Sequence, residues 1–178
     1  EAIQTLKVIS RLNSKYSKEY ETAIRQVESD LREENICLVN DCQLDEDQAA
    51  FVRRFYYKQL DGYIAPVWFS ALKDLNNEPD DCIYLAVKMR KQTDKTHPEY
   101  ALLQLPVNLV GRFVQLPSRG NQHFIMYIDD VVRCTLPLIF AGLNYTVFEA
   151  YAFKFTKDAE MEIDNDLRNG LLQKISKG

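Results

Sequence analysis

The sequence predicts an α+β fold: a long N-terminal helix followed by a mainly antiparallel sheet with two or three packed helices. Apolar residues recur at steps of three and four over the first 34 residues, which is the spacing of one helical face. After Gly62 the apolar pattern changes to a period of two, which is the spacing of strands. The links between the predicted strands are short, and short links favour antiparallel pairing.

The first predicted element is a helix from Ala2 to Glu34, which no proline or glycine interrupts. A helix with a single apolar stripe needs a partner surface, because tertiary packing supplies most of its stability. We expect that surface to be formed by helices outside this chain. The residues of the apolar stripe are Ile3, Leu6, Ile9, Leu12, Tyr16, Tyr20, Ile24, Val27 and Leu31.

A short strand over 36–39 and a second helix follow. Asp45 is the predicted N-cap of this helix, and Gln48, three residues later, completes a capping box. Gly62 is predicted to end it, because glycine readily takes the left-handed conformation found after a helix. The apolar face of this helix comprises Phe51, Val52, Phe55, Tyr56 and Leu60.

The sheet is predicted from alternating apolar segments. An extended segment around Pro66 comes first, and residues 91–98 are predicted to form a loop between two of the strands. Pro106 and Pro117 are predicted to close strands, because proline lacks the N–H that a ladder needs. The predicted strands cover 83–90, 100–105, 112–116 and 124–128.

A third helix over 130–140 is predicted, with Asp129 as its cap. Pro137 lies in its second half and is expected to kink or shorten it. One or two strands are predicted over 145–156, and a final helix begins near Asp166.

The composition excludes several classes of protein. The chain is 46% hydrophobic and 27% charged, which is enough to bury a core and remain soluble. A net charge of −4 argues against a nucleic-acid-coating protein, which usually carries a basic excess. No apolar run approaches the roughly 20 residues of a membrane span. The cysteines form no Cys-x-x-Cys pair and are interpreted as reduced thiols: Cys37, Cys42, Cys82 and Cys134.

Motifs for catalysis are missing from the sequence. No glycine-rich phosphate loop, Gly-x-Ser-x-Gly elbow or His-Glu-x-x-His pattern occurs. His97 and His123 have no sequence neighbour that would activate them, and neither completes a cluster of zinc ligands. We therefore predict no catalytic residue and no metal site within this chain.

Two acidic patterns have alternative interpretations. Alternate residues from Asp158 to Asp166 are acidic, which suits either a magnesium site or a solvated strand face that leads into a helix cap. The pair Asp129 and Asp130 suits helix capping better than metal binding.

A basic stripe is the candidate for substrate binding. Lys88 and Arg90 alternate on one face of a predicted strand, and Arg112 flanks another. Repeated positive charge of this kind can follow a linear polymer of phosphates. The alternative is that these cations only protect the edge of the sheet from aggregation.

Several short sequence segments, in this order, resemble those of bacterial polyphosphate kinase of the histidine-phosphorylating type. The resemblance extends over nearly the whole chain. Each segment alone is a weak match, and the order and spacing of the segments together make the match specific. The segments are 31–38, 55–60, 64–67, 84–89, 112–117, 127–133, 153–164 and 171–175.

The resemblance implies that the intact enzyme moves the terminal phosphate of ATP reversibly onto inorganic polyphosphate. It does so with magnesium and through a phosphohistidine that neither His97 nor His123 matches. We expect ATP and Mg²⁺ to act in the intact enzyme, with neither bound stably to this chain alone. Lys88, Arg90 and Arg112 would then be candidates for contact with polyphosphate.

The resemblance also predicts the place of this chain in its parent. Residues 1–40 would be the last helix and linker of a helical N-terminal domain, and residues 41–178 a middle domain truncated at its C-terminus. An initial Glu1 and a helical pattern that stops at Gly178 lead us to expect a piece of a longer protein. The middle domain in this family helps to form a homodimer and borders the tunnel for nucleotide and polymer. We expect a cytoplasmic enzyme, with membrane association of the intact protein as an option.

The alternative function belongs to a different class. A free-standing α+β module could bind a protein partner through the long amphipathic helix. A parent reading frame that continues into histidine-bearing domains would favour the kinase.

Overall fold

The computed structural model describes residues 2–72, 78–79 and 81–156. The acidic series from Asp158 and the final helix near Asp166 lie wholly outside these ranges. The elements in chain order are α1 (Ala2–Glu33), β1 (Ile36–Val39), α2 (Glu46–Phe55), a π-helix (Tyr56–Leu60), β2 (Val67–Trp68), β3 (Tyr84–Lys91), β4 (Asp94–Gln104), α3 (Val107–Val110), β5 (Phe113–Arg119), β6 (Gln122–Tyr127), α4 (Ile128–Ile139) and β7 (Tyr145–Phe153).

Helix α1 confirms the predicted long helix to within one residue at its end. No residue of α1 is buried, although its sequence is clearly amphipathic. The apolar stripe therefore faces outward, and α1 meets the rest of the chain mainly where it joins β1.

The start of α2 confirms the predicted capping box. The Asp45 carboxylate accepts a hydrogen bond from the Gln48 backbone N–H at 2.9 Å, and the Gln48 side chain accepts one from the Asp45 N–H at 3.3 Å. Helix α2 passes directly into the π-helix, whose final backbone bond runs from Asp61 N–H to the Tyr56 carbonyl at 2.9 Å. Gly62 follows at φ +83°, as a residue after a helix end requires.

The strands form two sheets, of orders β1-β6-β5 and β2-β4-β3-β7. All pairs are antiparallel except β1 with β6, where Ile36 lies opposite His123 in a parallel ladder. The α+β class and the mainly antiparallel pairing are therefore confirmed. The strand β1 lies on the N-terminal side of the predicted domain boundary at residue 40, yet it forms part of the first sheet.

The predicted loop over 91–98 was wrong. Strand β4 begins at Asp94, so only Gln92 and Thr93 stand between β3 and β4. Lys91 pairs with Asp94 at the tip, the register shifts between Met89 and Lys91, and the Asp94 carboxylate accepts from the backbone N–H groups of Thr96 and His97. Because this segment is polar, its sequence predicts a loop, although its residues from Asp94 onward belong to β4.

The predicted end of a strand at Leu116 was also wrong. Strand β5 runs through Pro117 to Arg119, with a register shift between Leu116 and Arg119. β5 is an edge strand of its sheet, and a proline at an edge or bulge removes no essential ladder bond. The short helix α3 was not predicted.

Helix α4 corrects the role predicted for Asp129. The N-cap is Tyr127, which makes no side-chain cap bond, and both Asp129 and Asp130 lie in the first helical turn. The helix passes through Pro137 and ends at Ile139, within one residue of the predicted end, so the expected shortening does not occur. Strand β7 is a single strand within the predicted 145–156 segment.

The main core lies between the two sheets and helices α2 and α4. One face of β3 and β4 packs against the buried faces of β5, β6 and α4. A smaller cluster around Tyr84 and Leu102 covers part of the opposite face of the second sheet. The largest fully buried side chains include Leu60, Leu85, Met89, Leu103, Met126 and Ile128.

Candidate functional site

The predicted basic stripe begins with a charge cluster on the second sheet. Lys88 of β3 lies directly opposite Glu149 of β7, and Arg90 is two residues further on the same face. Lys88 Nζ lies 3.2 Å from Glu149 Oε2, and Arg90 Nη2 lies 3.0 Å from Oε1. Two cations therefore share the Glu149 carboxylate.

Arg112, the third residue of the predicted stripe, belongs to a different environment. It precedes β5 in the first sheet, where its Nη1 donates to Asp129 Oδ1 at 2.7 Å. Its guanidinium also lies over the Tyr127 ring, 4.8 Å from the centroid. The structure therefore brings Lys88 and Arg90 together but gives Arg112 a separate partner.

The two aspartates of α4 hold the helix in place. Asp129 accepts from Arg112, and Asp130 pairs with Arg133 one turn later. The Arg133 Nε also donates to the Ala150 carbonyl of β7 at 3.2 Å. Burial raises the pKa of Asp130, and the neighbouring Arg133 opposes that shift. These contacts link α4 to both sheets.

The two histidines form no catalytic relay. His97 Nδ1 lies 3.0 Å from Asp94 Oδ2 and 3.0 Å from Thr96 Oγ1. A carboxylate at Nδ1 can orient a histidine, so Asp94 is a neighbour that the sequence prediction for His97 missed, but the His97 side chain is 83% exposed on this hairpin. His123 Nδ1 lies 3.2 Å from Ser118 Oγ near a hairpin turn. Both histidines are accounted for by local contacts of exposed turns.

The residues of this chain do not fit a magnesium ion within the described ranges. No group of three or more His, Cys, Asp or Glu side chains there converges on a point. Asp129 and Asp130 are already occupied by arginines, so neither offers a free carboxylate.

A cleft of about 520 Å³ opens beside β2 and the start of β3. Lys154 Nζ and Asp81 Oδ1 pair there at 2.8 Å, and the Gln104 amide donates to the Cys82 sulfur at 3.2 Å. These polar groups satisfy one another, and most of the remaining lining is apolar. The described residues of this cleft therefore form a cavity, but their polar groups do not converge on a point where a reacting atom could lie.

Sequence analysis missed a second group of cations. Arg53 and Arg54 lie in the last turn of α2, and Lys58 lies in the π-helix. All three are exposed, and none of them makes an ion pair with the described residues. The sequence shows that these three cations lie within six residues of one another. Only the structure shows which cations have a carboxylate partner among the described residues and which do not.

A family model described as the polyphosphate kinase middle domain matches residues 47–178. The chain belongs to the polyphosphate kinase family. This finding confirms the resemblance, and the matched residues begin within α2 and include every later element of this polyphosphate kinase domain.

Curated relatives and a solved structure agree with this family. The chain is 31% identical to polyphosphate kinase of Vibrio parahaemolyticus over 172 residues, covering 94% of this chain and 24% of the relative. It is 30% identical to polyphosphate kinase of Escherichia coli K12, covering 91% of this chain and 24% of the relative. The crystal structure of polyphosphate kinase from Porphyromonas gingivalis matches with a TM-score of 0.70 at 25% identity, covering 82% of this chain and 22% of that one.

The chain spans about a quarter of the length of these polyphosphate kinases. None of the helices in its described ranges is both long and apolar enough to cross a membrane.

Proposed function

We propose that this chain is a non-catalytic middle portion of an enzyme that transfers the terminal phosphate of ATP reversibly to inorganic polyphosphate. The observation that carries the proposal is the match of residues 47–178 to the polyphosphate kinase middle domain. The transfer passes through a phosphohistidine in a part of the enzyme outside this chain. The exposure of both histidines supports that placement, because neither lies in a site that excludes water: the His97 side chain is 83% exposed beside Asp94, and His123 is exposed beside Ser118.

The role of this portion is to shape the enzyme rather than to react. It supplies contacts to other domains and to a second subunit, and it borders the tunnel that holds nucleotide and polymer. The outward apolar stripe of α1 supports this role, because residues such as Leu6 and Tyr20 are 65% and 68% exposed. A stripe of this size is stabilising only when another surface covers it.

The same stripe supports the proposed division of the chain. Residues 1–40 contribute the last helix and linker of a helical N-terminal domain, and residues 41–178 form the middle domain. The absence of buried residues in α1 and the start of the family match at residue 47 support this division, whereas the pairing of β1 with β6 attaches the linker to the first sheet of the middle domain.

Mg²⁺ and ATP belong to the intact enzyme, which acts in the cytoplasm. The carboxylates of this chain's described ranges are not arranged for a magnesium ion, so no step of the transfer is assigned to them. Lys88 and Arg90 contribute to the polymer path, because they lie together on one face of β3. Arg112 contributes less, because Asp129 balances its charge.

Phosphate transfer by the intact parent enzyme tests this function. We expect the parent to make polyphosphate from ATP, and the double variant His97→Gln/His123→Gln to keep that activity. The chain alone should make none. Loss of transfer in the double variant, with the fold retained by circular dichroism, would refute the assignment of the reactive histidine.

A second function is favoured by α1 alone. The exposed stripe also suits a free-standing module that binds a protein partner through α1. A parent that carries no phosphotransferase activity, but whose partner binding is lost in a Leu6→Ser/Tyr20→Ser variant, would favour this module.

A further inference from the structure

The cations of this chain fall into two groups by their pairing. After β1, each of the other lysines and arginines whose side chains are described has a carboxylate partner: Lys88, Arg90, Lys91, Arg112, Arg119, Arg133 and Lys154. Arg53, Arg54 and Lys58 have none among the described residues. In a chain of net charge −4, three exposed and unneutralised cations within six residues form a distinct positive patch.

The π-helix presents this patch to solvent. Tyr56 and Leu60 are 7% and 0% exposed and attach the π-helix to the core. The three residues between them, Tyr57, Lys58 and Gln59, are all exposed. Turns of this type are uncommon and often occur at functional sites. Tyr56 and Leu60 thus attach the π-helix to the core, and Lys58 is exposed next to the last turn of α2.

Like charges one helical turn apart repel each other. Arg54 and Lys58 are four residues apart, a spacing at which a like-charge pair destabilises a helix by a few tenths of a kcal/mol. The nearest carboxylate that follows in sequence, Asp61, accepts instead from the Tyr56 hydroxyl at 3.5 Å. A bound polyanion would neutralise all three cations at once.

We propose that Arg53, Arg54 and Lys58 bind a run of phosphates of the polyphosphate chain. This inference rests on the proposed function, and it moves the main polymer contact from the β3 stripe to the α2–π-helix segment. The arginines can each hold a phosphate with two N–H groups, and Lys58 adds a point charge. Within the described ranges these three cations have no ion pair that must break before the polymer binds, whereas Lys88 and Arg112 would have to leave Glu149 and Asp129.

A structural role is the competing explanation. Cations near the C-terminal end of a helix interact favourably with the helix dipole. That role requires no ligand, so it predicts an effect on stability and none on polymer binding.

The test compares two triple variants of the purified chain with equal loss of charge. The first is Arg53→Gln/Arg54→Gln/Lys58→Gln. The control is Lys7→Gln/Arg11→Gln/Lys18→Gln, which removes three exposed cations of α1 that also lack an ion pair with the described residues. Binding of medium-length sodium polyphosphate is measured by calorimetry at low and at physiological salt. Circular dichroism confirms that both variants are folded.

We expect the first variant to bind polyphosphate about tenfold more weakly, with a smaller salt dependence, and the control to bind as the unchanged chain does. Hydrogen exchange should also show protection of residues 53–60 when polyphosphate is added to the unchanged chain. Equal weakening in both variants, no binding by the unchanged chain, tighter binding of ATP than of polyphosphate, or a lower melting temperature with unchanged binding would each overturn the proposal.

The binding assay separates this inference from the proposed function. If the parent enzyme transfers phosphate but the first variant binds the polymer normally, the patch assignment fails and the function stands. If the patch binds polyphosphate but the parent transfers no phosphate, the function fails and the patch remains.

Discussion

Lys88 and Glu149 lie opposite each other in the β3–β7 ladder, 61 residues apart in sequence, with 3.2 Å between Nζ and Oε2. The Lys88 side chain is only 7% exposed and that of Glu149 is 28% exposed. An ion pair at this depth is shielded from water far more than a surface pair. The pair joins β7 to β3 across the ladder, and it occupies a cation that the sequence analysis assigns to substrate.

Replacement of Glu149 by Gln tests how much this ion pair contributes to the stability of the fold. We expect the free energy of unfolding to fall by about 2 kcal/mol, between the values typical of buried and of surface pairs, because Lys88 loses its opposing carboxylate. Urea denaturation measures the change. The matched control is Asp81→Asn, which removes the exposed partner of Lys154 and should leave the unfolding midpoint nearly unchanged. Equal midpoints for the two variants would contradict this view of Lys88.

The N-cap of α2 gives a second prediction. Asp45→Ala should lower the free energy of unfolding by about 1 kcal/mol, because the Gln48 N–H loses its acceptor. Asp45 also pairs with Arg119, so the cap must be separated from the charge. Asp45→Asn keeps a side-chain oxygen for the cap and loses the charge, and should retain most of the stability. If the Asn variant is as unstable as the Ala variant, the ion pair and not the cap is the main contribution.

The hydrogen bonds of the β3–β4 hairpin turn lead us to expect a lowered pKa for the Asp94 carboxyl group. A side-chain hydrogen bond from Thr96, followed by one from His97, lowers the pKa of Asp94 from 3.8 to about 2. A carboxyl whose pKa is depressed in the folded state contributes stability above its unfolded pKa, and that contribution is lost as pH falls from 3.8 to about 2. Thr96→Val should raise the Asp94 pKa towards 3.8, as carboxyl carbon shifts in NMR would show. Thr93→Val in the same turn is the control, and an unchanged titration in the Thr96 variant would disprove the assigned cause.

The cysteines should differ in reactivity. Burial, with the nearby Asp41 as the next cause, raises the pKa of the Cys134 thiol to about 12, so at about pH 8 only about one part in ten thousand is thiolate. Cys42 is exposed. Iodoacetamide should therefore alkylate Cys42 well before Cys134 in the folded chain, and both in concentrated urea, as peptide mass spectrometry would measure. Similar rates for both in the folded chain would show that Cys134 is not protected.

Local signals in the sequence predicted the local structure well. The stripe of α1, the capping box of Asp45 and Gln48, and the turn at Gly62 each depend on residues within one or two helical turns. The residues that cause each of these structures are all contained in the pattern itself, so the sequence alone is enough to predict them. The hairpin tip after Lys91 was missed because polar contacts of Asp94, rather than alternating apolar side chains, organise it.

The candidate site could be predicted only in part. Asp129 suits both a cap and an ion pair, and the choice depends on Arg112, 17 residues away. Lys88 and Arg90 lie on one face as the period of two requires, but their shared partner Glu149 comes from a distant strand. Cations without an ion-pair partner among the described residues, such as Lys58, are identified only once the partners of the others are known.

Transfer of labelled phosphate is the most direct test of the claim that this chain is scaffold and that the reactive histidine lies outside it. The purified chain and the intact parent enzyme are each incubated with ATP labelled at its terminal phosphate, Mg²⁺ and polyphosphate. We expect acid-labile label on the parent and none on the chain, with labelled polymer formed only by the parent. Acid-labile phosphate on His97 or His123 of the chain alone would contradict the account.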